Sequence, residues 1–489
     1  MEWHQTVFTS EGSSHSRFEN VPKSDPCAGW DYHDVPANDP PSCRRARQFR
    51  QMQRFREVED QFNMDQITRD AIDHVERCIL GVLDCPAYPL IISDSPYMQM
   101  KFNTGGETIW LLPIMKAAEE LNFRFWTFHG GNHAGLETSW NATRLLNESL
   151  HSYWTEGLFA MNCLQSPGCV RPEDVVPASD PKFRHDVSII PPERLGVLPS
   201  WKVFTVNFWG SKNAEYGGPG LNPGAQFGIP HDWSFHPLGK KWQFVPYPYD
   251  KHTYLPISIE QRCLRAKYVP FEEKDNSAIF LAKFASYFHE DSNKAMHDKW
   301  GDLAAALKAH GPGYDLIAPT QKKDGIGRVM EIPDAFDIRG TMSSVQYSRL
   351  LSRQKAIIGI GQPIISPSPY IAMCLGVPAV MPYFTDKGPQ PDHHPDAKWG
   401  SQYVQHGHVS GFPEPIPAEM TLQGVRAKVR EVLLETDWEG EYRAVIAANG
   451  GVHPHYPDVQ IKACWEPYSV CKGILWQEGW DKPKEEKKD

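Results

Sequence analysis

What this chain lacks narrows its chemistry. No Cys-x-x-Cys occurs among its 10 cysteines, which disfavours zinc ribbons and thioredoxin-type redox centres. No Asp-x-Asp occurs anywhere, so the metal-binding carboxylate pair of many sugar transferases is missing. The Walker A loop is absent too, and the dinucleotide fingerprint is incomplete: Gly359 and Gly361 supply two glycines, but Ile364 stands in the third position. Basic charge is not in excess. Lys and Arg number 50 against 60 Asp and Glu, a net charge of −10, which argues against general nucleic-acid binding. The uncharged stretch Ala356 to Phe384 does not read as a membrane span, because Pro363, Pro367, Pro369, Pro378 and Pro382 cut it into short pieces. A lipid-exposed helix would have to re-satisfy the backbone groups freed at each proline. No signal peptide or membrane anchor is visible at Met1.

What is present points to a folded protein of more than one domain. The 489 residues exceed one ordinary core, and 40% hydrophobic with 12% aromatic residues fits a globular chain. Several cysteines lie close in sequence: Cys27 with Cys43, Cys78 with Cys85, Cys163 with Cys169, Cys464 with Cys471. Disulfides fit this even count, with pairing left open, while Cys374 inside the apolar stretch is read as a buried free thiol. Two N-glycosylation sequons, at Asn141 and Asn147, join the cysteines in favouring the secretory pathway and a Golgi location. That location requires an anchor not seen in this chain; a cytosolic location is the alternative.

The organisation follows from the hydrophobic patterning. Residues 1–86 form a polar N-terminal extension, poorly ordered to about residue 50, with one or two helices between Arg44 and Arg77. The basic run at the start of those helices is read as a solvated face. Residues 87–274 form a first α/β domain. Tyr88 to Ile92 is a buried strand, Glu107 to Leu121 a helix, Phe123 to Phe128 a second strand, and Thr138 to Trp154 a helix carrying both sequons. Short strands at Trp201–Phe208 and Trp242–Val245 lie in the proline- and aromatic-rich part that follows. Residues 275–440 form a second α/β domain with strands at Ser277–Ala282, Tyr314–Ala318, Lys355–Ile360 and Val377–Tyr383. Its helices are Lys294–His310, Ser343–Arg353, Tyr370–Leu375 and Leu422–Leu434, and residues 441–489 are a C-terminal tail packing locally. The class is α/β, two Rossmann-like domains facing each other across a cleft, the GT-B architecture.

The loop of Gly361 and Gln362, with Ser366 or Ser368 as helix cap, aims backbone N–H groups above the second sheet, where a phosphate fits. An ordinary strand–helix crossover with no ligand is the competing reading. Thr104-x-x-Glu107 is a capping box and also places a carboxylate at the start of the first domain's helix. His129, Asn132 and His133 follow the second strand, where an acceptor would lie. Asp392-His393-His394-Pro395-Asp396 is read as a solvated proline-rich loop, against a metal site. Trp233, Trp242 and Tyr247 suit either sugar stacking or the core.

From Ile332-Pro333, through Leu350-Leu351, Gly359, Gly361, Pro363, Pro367, Pro369 and Gly376, the sequence resembles the donor domain of glycosyltransferase family 18. That family is the α-1,6-mannosylglycoprotein 6-β-N-acetylglucosaminyltransferases. Ala282-Lys283 is similar to the family's Gly-Lys at the end of the first donor-domain strand, and Thr104-Gly105-Gly106-Glu107 to its Gly-x-x-Gly-Glu segment. The resemblance implies metal-independent, inverting transfer of N-acetylglucosamine from UDP-N-acetylglucosamine, as co-substrate, to a mannose hydroxyl of a glycoprotein N-glycan. It implies Glu107 as general base. It implies Lys283, Arg339, Gly361, Gln362, Ser366 and Ser368 as donor-binding candidates, and no cofactor. Ile365 and Ile371 stand where family members carry glutamates that hold the donor. That departure keeps two alternatives open: a transferase using a different nucleotide sugar, and a non-catalytic glycan-binding relative.

Overall fold

A computed structural model describes residues 41–454, apart from 63, 99–105, 129–132, 177–190, 209–235, 247–250, 266, 290–298, 310–312, 323–328, 361–365 and 382–417. The chain opens with helices α1 (Pro41–Val58) and α2 (Gln66–Ile79). Strand β1 (Leu90–Ser93), helix α3 (Gly106–Glu120), strand β2 (Arg124–Thr127), helix α4 (His133–Leu145), strand β3 (Leu150–Thr155) and helix α5 (Gly157–Gln165) follow. Then come β4 (Val203–Val206), β5 (Gln243–Val245), β6 (Thr253–Tyr254) and the short helix α6 (Glu260–Arg265). All strands so far form one parallel six-stranded sheet in the order β2-β1-β3-β4-β5-β6.

The second half repeats the plan. It contains β7 (Ser277–Leu281), α7 (Trp300–Ala309), β8 (Asp315–Ala318), β9 (Phe336–Ile338), α8 (Ser344–Ser352), β10 (Ala356–Gly359), α9 (Ser368–Cys374) and β11 (Ala379–Val380). Its five strands are parallel in the order β11-β10-β7-β8-β9. The expected class, α/β with two Rossmann-like halves, is the one observed.

Burial explains why these runs are strands. Side chains alternate across a strand. Accordingly, Leu90 and Ile92 join α1 and α2 in one core, while Ile91, between them, joins α3 in another. In the rear sheet Phe280 packs with Trp300 and Phe336, whereas Ile279 and Leu281 face the core shared with the front half. Both faces of each sheet are covered, which is why the strands read as continuous apolar runs.

The structure changes several expectations. Residues 150–155 are not the end of a helix. They form β3, central in the front sheet, because Ser152, Tyr153, Trp154 and Thr155 are all buried there. The helix before it ends at Leu145. The basic run of α1 is not a wholly solvated face. Arg47 is buried and pairs with Glu148 at 3.2 Å, and Arg56 pairs with Glu59, Asp73 and Glu76. Cys374 is no free thiol: it is bonded to Cys263, which ties α9 to α6 across 111 residues. Cys78–Cys85 and Cys163–Cys169 are also disulfides, and Cys43 is disulfide-bonded as well.

The helical end of the chain returns to the front half instead of staying with the rear. Helix α10 (Leu422–Arg430), a π-helical turn (Glu431–Glu435) and α11 (Trp438–Ala448) lie against the front sheet. Trp438 packs on Phe204 and Trp242, its Nε1 donating to the Val432 carbonyl at 2.8 Å. Arg426 pairs with Glu120 of α3, and Tyr442 donates to Asp174 at 3.0 Å. Among the described residues no helix is long and apolar enough to cross a membrane.

Candidate functional site

Strand order locates the site before any side chain is considered. In the front sheet the chain runs from β1 to β2 on one side, then crosses back to place β3 on the other side of β1. The rear sheet does the same at β7, with β8 on one side and β10 on the other. In a parallel α/β sheet the crevice at the carboxyl end of such a reversal is where ligands bind. The front reversal lies where β1 and β3 end, at Asp94 and Glu156. The rear one lies where β7 and β10 end, at Lys283 and at the 361–365 loop, which is outside the described residues.

The two reversals face each other. A methyl group added to Gly106, the first residue of α3, would meet Pro367 Cδ of the rear half at 3.3 Å and Phe208 Cζ at 3.0 Å. Next to Gly106, in the first turn of α3, is Glu107. Lys283, on the rear side, acts on the Glu107 carboxyl through charge. Burial raises that carboxyl above the usual glutamate range; a bond from its own backbone N–H and the Lys283 ammonium oppose the rise. Glu107, half-buried beside Gly106, therefore lies close to the point where the two halves meet. The capping-box partner Thr104 lies outside the described residues.

Sequence reasoning missed two further carboxylates. Asp94 is fully buried after β1 and accepts from the Tyr153 hydroxyl at 2.5 Å; Ser139 and Tyr153 hydroxyls are 3.1 Å apart. Burial pushes Asp94 up to about 6. Glu156 follows β3 at the N-cap of α5, but its side chain makes no cap bond, and its Oε1 is buried with no partner among the described residues. Burial, then the charges of Asp94 and Glu107, push it up to about 8. Tyr97 senses both Glu156 and Glu107, which places it at the same edge. The signal that could have found these acids is their position one residue after buried strands; for Glu156 that signal was hidden while 150–154 was read as helix.

The oxygens of Asp94, Glu107 and Glu156 do not converge as a set of ion ligands. Among the described residues the one set of three with ligand atoms within 4.8 Å of one another is His74, Cys78 and Cys85, and its two sulfurs are already joined in a disulfide.

The other expected site residues are distributed unevenly. Ser366 is buried, its Oγ accepting from the Ser368 N–H at 3.1 Å, so both serve the start of α9, where Pro367 is the N-cap. Arg339 directly follows the outer edge strand β9 and is paired with Asp337 at 2.5 Å. Gly361, Gln362, His129 and Asn132 lie outside the described residues, as do the Asp392–Asp396 loop, Trp233 and Tyr247; His133 opens α4. Trp242 is core, 1% exposed between His236 and Trp438. Ile371 is 2% exposed in the shared core, so its position does not look onto the donor space. Asn141 is exposed, with Arg144 donating to its side chain, whereas the Asn147 Oδ1 is buried without a partner and Ser149 is fully buried.

No protein-family model matches this chain, and none of the curated proteins does. Among solved structures it is similar to MnaA of S. aureus with UDP, at TM-score 0.35 and 10% identity over 76% of this chain and 94% of that one. It is similar to the glycosyltransferase of kitacinnamycin, at 0.31 and 14% over 78% and 98%. It is also similar to UDP-GlcNAc 2-epimerase from Methanocaldococcus jannaschii, at 0.28 and 9% over 74% and 99%. These likenesses are remote, and the fold rests on the strand order itself.

Proposed function

We propose that this chain is an inverting glycosyltransferase of family 18 type, moving N-acetylglucosamine from UDP-N-acetylglucosamine to a mannose hydroxyl of a glycoprotein N-glycan, without a metal. One observation carries the reading: α3 opens with Gly106 and Glu107 where the front half meets Pro367 of the rear half, beside the two sheet reversals and within reach of the Lys283 charge. A sugar hydroxyl is a poor nucleophile until a base takes its proton. Glu107 takes that proton as the hydroxyl oxygen attacks C1 of the donor. The C1–oxygen bond to UDP breaks, and the departing diphosphate carries the charge toward Lys283. A partly desolvated carboxylate with a raised pKa is a stronger base than a free one, which suits this role.

Ile365 stands where members of the resembled family carry a donor-holding glutamate, and an isoleucine offers no hydrogen bond to a donor hydroxyl, so a nucleotide sugar other than UDP-N-acetylglucosamine is the alternative. The disulfides and the exposed Asn141 support passage through an oxidising, secretory compartment such as the Golgi.

Glu107→Gln keeps the shape of the side chain and removes the base. With a mannose-terminated N-glycopeptide as acceptor, transfer should fall at least ~100-fold, the usual weight of general-base catalysis, while UDP still raises the melting temperature of the variant. Undiminished transfer removes Glu107 as the base.

A further inference from the structure

The front edge of the gap carries three carboxylates where a single general base would suffice. Their surroundings differ. Asp94 accepts a hydrogen bond from Tyr153. Glu107 has a cation, Lys283, across the gap. Glu156 has neither: its Oε1 is enclosed and bonds nothing among the described residues, and it sits at the N-cap of α5 without capping it. The groups acting on Glu156 are Asp94 from the end of β1, Glu107 from α3 and Tyr97 from the 3-10 turn Pro96–Met98. Tyr153 and Thr155 precede it on β3, and the Lys283 charge acts on Glu107. Two of its neighbours are carboxylates, so ionising it adds a third negative charge to a confined edge.

We propose that Glu156 is a positioning residue that works in its neutral form, donating its proton as a hydrogen bond into the gap while Glu107 stays the ionised member. This rests on the transferase reading. A neutral Glu156 supplies an O–H donor between the carboxyl groups of Asp94 and Glu107. It can hold the acceptor sugar by a hydroxyl oxygen, leaving that hydroxyl's own proton free to go to Glu107. Ionised, the same residue would repel the Glu107 carboxylate and offer the sugar no donor. No proton is consumed: Glu156 keeps its own, and the proton of the attacking hydroxyl ends on Glu107.

The sign of the pH effect is fixed. A carboxyl whose folded value is raised to about 8, against about 4.3 unfolded, binds more protons in the native state between those limits. Stability contributed by its neutral form is therefore lost as pH rises from about 5 to about 8, and the loss is complete above that.

Glu156→Gln mimics the neutral carboxyl and tests this twice. Without substrate, urea unfolding midpoints of wild type and variant should separate as pH rises from 5 to 8, the variant becoming the more stable, and stay apart above 8. With donor and glycopeptide, wild-type kcat/KM should fall about tenfold per pH unit above about 8, while the variant, whatever its rate at pH 7, shows no such fall, so that this alkaline limb is missing. Superimposed unfolding curves, or a variant that retains the alkaline limb, would overturn the role. Diverging curves in a protein that transfers from no nucleotide sugar would leave Glu156 protonated and remove the transferase reading instead.

Discussion

Replacing Gly106 with alanine would test how closely the two halves meet. The added methyl group would lie 3.0 Å from Phe208 Cζ and 3.3 Å from Pro367 Cδ, the first a distance that carbon atoms do not tolerate without movement. Phe208 cannot swing away freely, since its ring is 5% exposed and packs edge-on to Trp110 at 6.0 Å. Pro367 is the N-cap of α9, so yielding there shifts the rear half. Overpacking of this kind costs ~1–3 kcal/mol. Alanine returns up to ~1 kcal/mol through helix propensity, and less at the first residue of a helix. The expected net loss is about 1–2 kcal/mol, or roughly 5- to 30-fold in the folded-to-unfolded ratio. Urea unfolding measures it. Phe208→Leu removes the offending ring carbon, so the alanine penalty should shrink by ~0.5–1 kcal/mol or more in that background, as coupled neighbours do. Because α3 also carries Glu107, the single variant should lose kcat beyond its loss of stability; misplacement by about 1 Å can cost ~100-fold. An alanine variant that is as stable as wild type in both backgrounds refutes the contact, and with it the facing of the two halves at this point.

Two other outcomes follow from the described residues. Cys263→Ser with Cys374→Ser opens a loop of 111 residues and should cost ~2–5 kcal/mol, and thiol labelling of the native wild type should leave Cys374 unmodified until reductant is added. Expression in a secretory host should add one N-glycan here, lost in Asn141→Gln and kept in Asn147→Gln, because Asn141 is exposed whereas the Asn147 Oδ1 is enclosed; a glycan mapped to Asn147 by mass spectrometry would contradict that burial.

The sequence revealed the fold wherever burial wrote itself into composition. Leu90–Ser93 and Ser277–Leu281 are strands buried on both faces, and Ala356–Gly359 is buried on one and half-buried on the other; their unbroken apolar runs say so. Residues 150–155 were illegible for the opposite reason: Leu150, His151, Ser152, Tyr153, Trp154 and Thr155 alternate polar and aromatic groups over a length that also fits a helix face, and only the neighbouring strands decide. Strand β9 hid in the proline-bounded Phe336–Ile338, and the return of α10 and α11 to the front sheet depends on contacts such as Trp438 with Phe204, invisible to local patterning. Of the candidate site, Glu107 stood out through the family resemblance, since a glycine turn and a helix start alone also read as a cap. Asp94 and Glu156 did not, since nothing local distinguishes an acid after a strand until strand order shows which ends form the reversal. Cys374 misled because an apolar setting suits a thiol and a half-cystine equally; its partner lies 111 residues away.

The most direct test is a thermal-shift panel on the intact chain with UDP, UDP-N-acetylglucosamine, UDP-glucose, GDP-mannose and CDP-glycerol, each at several concentrations and with chelator present. Stabilisation that grows with UDP and UDP-N-acetylglucosamine, to ~2.7 kcal/mol at about 100 times Kd, is expected, together with its loss in Lys283→Ala. Stabilisation by a different nucleotide sugar alone would move the donor to the second reading, and no shift with any of the five would contradict a nucleotide-sugar site in the gap.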